Sequence, residues 1–216
     1  MGERPMPASS DTRADALPGP ALRRATAADA HRLKTVLAEA FYEDPVLSWL
    51  LPDQRSREAR LRRFFAIELR YLGLPHGHVW TTEDLSGTAI SLPASAWHPP
   101  LRAVLLEGRL FGAQLPRATR LQLATDRRHL REPHHYFRDI GVLPEAQGRG
   151  LGSALMRPTL ERCDREGLPA YLEASSERSA ALYERLGFRV TEELRIGGSP
   201  PLWLMLREPH GNGRSA

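Results

Sequence analysis

The sequence predicts an α/β fold of the α+β kind, a sheet flanked by helices, and three observations predict it. An apolar run from Tyr136 to Leu143 leads through a glycine-rich turn with Gly148, Gly150 and Gly152 into Ser153–Met156, which has helical character. That order is strand, glycine loop, helix N-terminus. Before it lie segments whose apolar residues recur three and four apart, mixed with short extended runs. After it, Phe188 to Ile196 and Pro201 to Arg207 flank Gly197-Gly198-Ser199-Pro200 and predict a closing β-hairpin.

At 216 residues the chain suits one domain with a sizeable core. No apolar run approaches the roughly 20 residues of a membrane span, and the first residues lack the apolar stretch of a secretory signal. Cys163 is the only cysteine, which excludes an internal disulfide and predicts a reducing, cytoplasmic setting. The net charge of +4 rests on arginine, since Lys34 is the only lysine. A basic balance suits an anionic ligand, a nucleic acid or a membrane surface alike, so it discriminates weakly.

Taken in order, residues 1–20 mix Pro, Gly, Ser, Asp and Arg without periodicity and predict a disordered tail. A domain over residues 21–208 follows, with a frayed tail at 209–216. Ala21 to Ala25 predicts a short strand. Thr26 and Asp29 resemble a capping box opening a helix with Leu33, Val36, Leu37 and Ala40 on its buried face, ending before Pro45. The segment Phe41 to Asp53 is rich in aromatics and acids. It reads either as a short helix plugging the core with Trp49 and Leu50, or as a substrate-facing loop in which Tyr42, Glu43 or Asp44 meets a cationic amine. Arg55 to Leu72 predicts a helix with a core face and a solvated arginine face. His76 and His78 flank Gly77 without the further ligands a metal site needs.

Strands over His78–Thr82 and Thr88–Leu92 predict an antiparallel hairpin. Leu101 to about Leu130 predicts a helix interrupted near Pro116, a candidate wall for an acceptor pocket. Strand 136–143 runs into a helix that Gly167 and Pro169 stop near Glu166. Tyr171 to Ala174 predicts the next strand, and Ser175 and Ser176 can cap a helix from Arg178 to Leu186.

The glycine loop calls for a phosphate. Glycines let backbone N–H groups approach a ligand, and the first turn of a helix presents unpaired donors backed by its dipole. A P-loop would need a lysine before Ser153, and a dinucleotide fingerprint would need a different glycine spacing. What stands here is Gln147-x-x-Gly150-x-Gly152. It resembles the acyl-CoA pyrophosphate loop of the GNAT superfamily of N-acetyltransferases. Tyr183-x-x-x-Gly187-Phe188 lies at the spacing that family uses, with Ser179 in place of its commoner asparagine. Residues 140–155, 169–175 and 182–188 resemble the puromycin N-acetyltransferase-like branch, whose members act on small molecules.

The resemblance implies a mixed, mostly antiparallel sheet of six to seven strands, splayed at a central parallel pair that holds the pantetheine arm. It implies acetyl-CoA as cosubstrate, a small-molecule amine as acceptor, no metal, no nucleic acid, no membrane, and a monomer or homodimer. It assigns cofactor contacts to Ile140, Gly141, Val142, Gln147, Gly148, Arg149, Gly150, Leu151, Gly152, Ser153, Ser179 and Tyr183, with the Val142 N–H on the thioester carbonyl. Tyr183 is the expected general acid. Glu173 is the first candidate for general base, on the strand lining the splay, and Glu43 and Asp44 are second candidates. His134 and His135 are expected far from the thioester. A CoA-binding sensor without turnover and a protein or peptide N-acetyltransferase stand as alternatives.

Overall fold

A computed structural model describes residues 20–93 and 95–211; residues 1–19 of the predicted N-terminal tail and residues 212–216 of the C-terminal one lie outside them. Seven strands form one sheet: β1 (Leu22–Arg24), β2 (Val79–Thr82), β3 (Gly87–Pro93), β4 (His135–Val142), β5 (Ala170–Ala174), β6 (Arg189–Leu194) and β7 (Leu202–Arg207). Their spatial order is β1-β2-β3-β4-β5-β7-β6. Every pairing is antiparallel except the central one, β4 with β5. That pair is joined by a helical crossover, as parallel neighbours require.

Among the described residues seven α-helices flank the sheet: α1 (Ala30–Ala40), α2 (Pro45–Leu50), α3 (Gln54–Glu68), α4 (Leu101–Phe111), α5 (Leu115–Arg128), α6 (Leu151–Glu166) and α7 (Glu177–Glu184). One face of the sheet is covered by Leu33 and Leu37 of α1 with Leu61 and Phe65 of α3, against Ile90, Leu92, Tyr136 and Tyr171. The other is covered by Met156 and Leu160 of α6 with Ala180 and Tyr183 of α7, against Phe137, Leu172 and Met205. Each large apolar side chain so buried contributes about 1.5–3 kcal/mol. Cys163 belongs to this second cluster, and burial pushes its thiol up to about 12, so it is an inert packing residue.

Two details depart from the sequence reading, and a third takes one of its two alternatives. The break in the 101–130 helix falls at Gly112–Gln114, where Gly112 has φ +51°, and not at Pro116. Pro116 sits in the first turn of α5, where its missing N–H has no intrahelical partner to lose. The arginine face of α3 is not wholly solvated, because Arg57 is buried and donates to the carbonyls of Leu51, Tyr42 and Pro52. The Phe41–Asp53 segment folds as the core-plugging helix α2 with Leu50 buried, and its N-cap is Asp44. Among the described residues no helix is long and apolar enough to cross a membrane.

Candidate active site at the splay of the central strands

β4 and β5 pair only at His135 with Ala170 and at Tyr136 with Tyr171. Beyond that point β5 continues against β7, β4 continues against β3, and the two part. The parting begins at a bulge. Ile90 stands opposite Asp139 and Ser91 opposite Phe137, so Arg138 is an extra residue on β4.

The strand edge facing the gap is open. Leu143 donates its N–H to the carbonyl of Ser86, on the β3 side, at 2.9 Å. Alternation along an antiparallel pair then turns the N–H groups of Val142 and Ile140 toward β5, where the ladder has ended. The Val142 carbonyl accepts from Nε2 of Gln147 at 3.1 Å, which ties the strand to the loop that follows.

That loop carries Gly148 and Gly150 at φ +78°, a region that disfavours other residues, with open space where each Cβ would stand. Gly148, Arg149 and Gly150 are exposed, and Leu151, Gly152 and Ser153 are half-buried. The N-cap of α6 is Gly150, which offers no side-chain cap, and the first turn holds no acidic residue. The first intrahelical bond is from Ala154 N–H to the Gly150 carbonyl. The preceding N–H groups are therefore free to hold an anion at the positive end of a helix of 16 residues. An acyl-CoA pyrophosphate fits this loop, whose glycines leave room for it.

Tyr183 lies on α7 across the gap, buried beside Phe188. Burial raises its phenol far above the ordinary value, and the charges of Asp44 and Asp139 add to the rise. Its hydroxyl is therefore held in the protonated form. Ser179 is engaged in the cap of α7, where its hydroxyl donates to the Ser176 carbonyl at 2.8 Å and accepts the Ser176 N–H.

Asp44 reaches the gap by capping α2. Its carboxylate accepts the Leu47 N–H at 2.9 Å and the hydroxyl of Ser175, at the end of β5. Burial raises its pKa, partly opposed by these bonds. Tyr42 holds the same segment from the other side through its carbonyl and through its ring, 5.4 Å from the Arg57 guanidinium. Glu43 is exposed.

Glu173 points to the α3 face of β5, among aromatic rings. Its carboxylate lies 3.7 Å from Nδ1 of His129, and its charge adds to burial in raising the phenols of Tyr136 and Tyr171. His129 is clamped by Trp97, stacked 3.8 Å away, and its Nε2 lies 3.0 Å from Nε2 of His134. His134 Nδ1 sits 2.7 Å from the Glu132 carbonyl, which only accepts, so Nδ1 carries a proton. Burial lowers the His134 pKa, which favours the neutral ring with Nε2 as acceptor. His129 must then donate from Nε2, and its neutral form presents the Nδ1 lone pair to Glu173. His135, at the closed end, is bonded to Glu166 at 2.8 Å.

Two groups at the site escape sequence reasoning altogether. Asp139 is buried with no hydrogen-bond partner on Oδ2. Burial raises its pKa well above the carboxylate range, and Glu68 and Asp44 add to this against Arg138. Glu68, fully buried at the end of α3, is bonded to Arg138 through both oxygens. Burial works against the Arg138 charge, and the Glu68 carboxylate more than offsets it.

Residues 38–188 match the acetyltransferase (GNAT) family. The chain belongs to that family. It is an acyltransferase, and the splayed pair of strands is the fold's feature. An uncharacterized N-acetyltransferase of Schizosaccharomyces pombe is 28% identical over 218 residues, covering 90% of this chain and 86% of that one. A structure from Corynebacterium glutamicum, described as histone acetyltransferase HPA2 and related acetyltransferase, superposes with a TM-score of 0.68. It is 28% identical and matches 88% of this chain and 97% of its own. A mycothiol acetyltransferase of Paenarthrobacter aurescens is 36% identical over 105 residues, 44% of this chain and 29% of that relative.

Proposed function

We propose that this GNAT protein transfers an acetyl group from acetyl-CoA to a primary amine of a small molecule in the cytoplasm, by direct attack within a ternary complex. The observation that carries the reading is the unpaired inner edge of β4 running into the uncapped N-terminus of α6, with buried carboxylates facing the same gap. An edge of free donors suits an acyl thioester, and carboxylates suit a cationic acceptor. The closing strand Leu202–Arg207 and the run Pro169 to Ser175 support membership of the puromycin-type branch.

Bound acetyl-CoA supplies an acetyl group activated as a thioester. The N–H groups from Gly148 to Ser153 hold its pyrophosphate, with Arg149 adding an exposed positive charge. The N–H of Val142 donates to the thioester carbonyl as negative charge develops there, a contribution of about 3–4 kcal/mol. An alkylammonium near pKa 10.4 must lose a proton before it attacks. Glu173 accepts that proton, with the His129 Nδ1 lone pair 3.7 Å behind it. Tyr183 donates from its neutral phenol to the departing sulfur and regains a proton, the one that the new amide nitrogen gives up. The hydroxyl of Ser175 donates to Asp44 in the gap, and direct transfer uses no side-chain nucleophile.

The test is calorimetric titration with CoA, followed by thiol release from acetyl-CoA across a panel of primary amines. Binding together with amine-dependent release is the expected result. Binding without release from any amine or peptide would make the protein a CoA sensor. No binding would remove acyl-CoA as the donor.

A further inference from the structure

A cleft of about 470 Å³ lies between the start of α1 and the turn that follows α3, a size that suits a small organic molecule. His31 and Lys34 stand three apart on α1, so they line it from one helix face. Opposite them are Ala66 of α3, Arg70 and Leu74. Arg70 belongs to a π-turn, Leu69–Gly73, in which the helix widens as α3 ends. Such turns are rare and are frequent at functional sites.

The cleft is separate from the gap between β4 and β5. α1 reaches the gap at its other end, where Ala40 packs on Gly141. Lys34 and His31 lie six and nine residues earlier, about 9 and 13 Å along the helix.

Its charge has no counterpart. Lys34, the only lysine of the chain, is half-buried, and His31 and Arg70 are exposed. Among the described residues none of the three lies within ion-pair distance of a carboxylate, and no carboxylate lines the cleft. The acids that flank them in sequence are committed elsewhere. Asp29, two residues before His31, holds Arg23 through both oxygens at 2.8 Å. Glu68, two residues before Arg70, holds Arg138. The ring of Tyr71, 5.6 Å from the Arg70 guanidinium, leaves that charge uncancelled.

These cations share the cleft with Ala30, Ala66, Leu74 and Pro75, which offer apolar surface and no hydrogen-bonding side chain. An inorganic anion would use only the charges, and a neutral apolar molecule only the wall. A ligand that uses both has an anionic head and a short apolar body. We propose that the cleft is a second ligand site, for an amphiphilic organic acid. Its carboxylate sits between Lys34 and the fork of Arg70, and its hydrocarbon tail runs along Ala30, Ala66 and Leu74. His31 adds a donor one turn before Lys34.

Because Lys34 is the only lysine, protein made with isotope-labelled lysine carries one lysine side-chain signal, and it reports from the cleft. With CoA present at saturation, octanoate is titrated by NMR, against acetate as the head alone and octan-1-ol as the tail alone. The Lys34 signal is expected to shift saturably with octanoate, with a Kd lower than for either fragment by at least about threefold. Arg70→Gln, with folding checked by the amide spectrum, is expected to weaken octanoate by about threefold or more.

No saturation by about 10 mM octanoate would overturn the inference. So would octanol binding as tightly as octanoate, or an unchanged Kd in Arg70→Gln. A shift that appears without CoA and vanishes with it would place the acid in the gap and overturn it as well. None of these results bears on thiol release, which judges amine acetylation separately.

Discussion

Leu143 gives its N–H to the carbonyl of Ser86 at 2.9 Å, and this one bond turns the N–H of Val142 into the gap between β4 and β5. The donor that would meet a thioester carbonyl is thus set by register with β3, on the far side of the strand. Val142→Pro removes that N–H without removing a sheet hydrogen bond. It is expected to lower kcat by about a hundredfold or more. An unchanged kcat would mean that the carbonyl is held elsewhere.

Tyr183→Phe keeps the ring packed against Phe188 and removes only the hydroxyl. Turnover should fall while acetyl-CoA affinity changes little. The loss is partial, since a thiolate with a pKa near that of cysteine, about 8.5, leaves without help. A rate equal to wild type would end the acid role.

The central unit was legible in the sequence because its signals are local. Gly148 and Gly150 stand at positive φ, as a loop approaching a ligand requires, and Gly187 turns the chain at φ +89° so that Phe188 packs beside Tyr183. The strands and helices that periodicity predicts all appear, with ends shifted by a few residues. Asp139 was not legible, because its direction depends on the Arg138 bulge, a property of pairing between β3 and β4. Glu68 and Arg57 were hidden in a helix that reads as basic and solvated. A charged residue at a core-facing position carries no periodic signal of burial. The partners of Glu173 were equally hidden, since His129 arrives from the end of α5, more than forty residues away in sequence.

The Arg138–Glu68 pair is buried, so breaking it should be expensive. Glu68→Gln removes the one carboxylate bonded to the guanidinium, and the expected loss of stability is about 3–5 kcal/mol by chemical denaturation. A loss below about 1 kcal/mol would place the pair in a more polar setting than its burial implies.

pH should act on stability through the same cluster. Asp44, Asp139 and Glu107 all have raised pKa values in the folded chain. A carboxyl whose folded pKa is raised favours folding fully below its unfolded pKa, near 4, and the benefit is lost as pH rises through the folded value. Asp29 and Asp164, lowered by Arg23 and Arg207, act in the opposite sense and only below about pH 5. Melting temperature should therefore decline from about pH 5 to pH 8, and Asp139→Asn should flatten that decline. A parallel decline in the variant would exclude Asp139 as a source.

His129 offers a further check on the base. His129→Gln should lower kcat/KM about tenfold or more, with KM for acetyl-CoA held. An unchanged kcat/KM would reduce the ring to a packing partner of Trp97.

The most direct test of acetyl transfer at the splay is a single-turnover experiment with acetyl-labelled acetyl-CoA, read by mass spectrometry of both protein and amine. The label is predicted to pass to the amine nitrogen in one step, with unlabelled protein at every time point. Label on the protein before amine is added, or label that never leaves CoA, would contradict it.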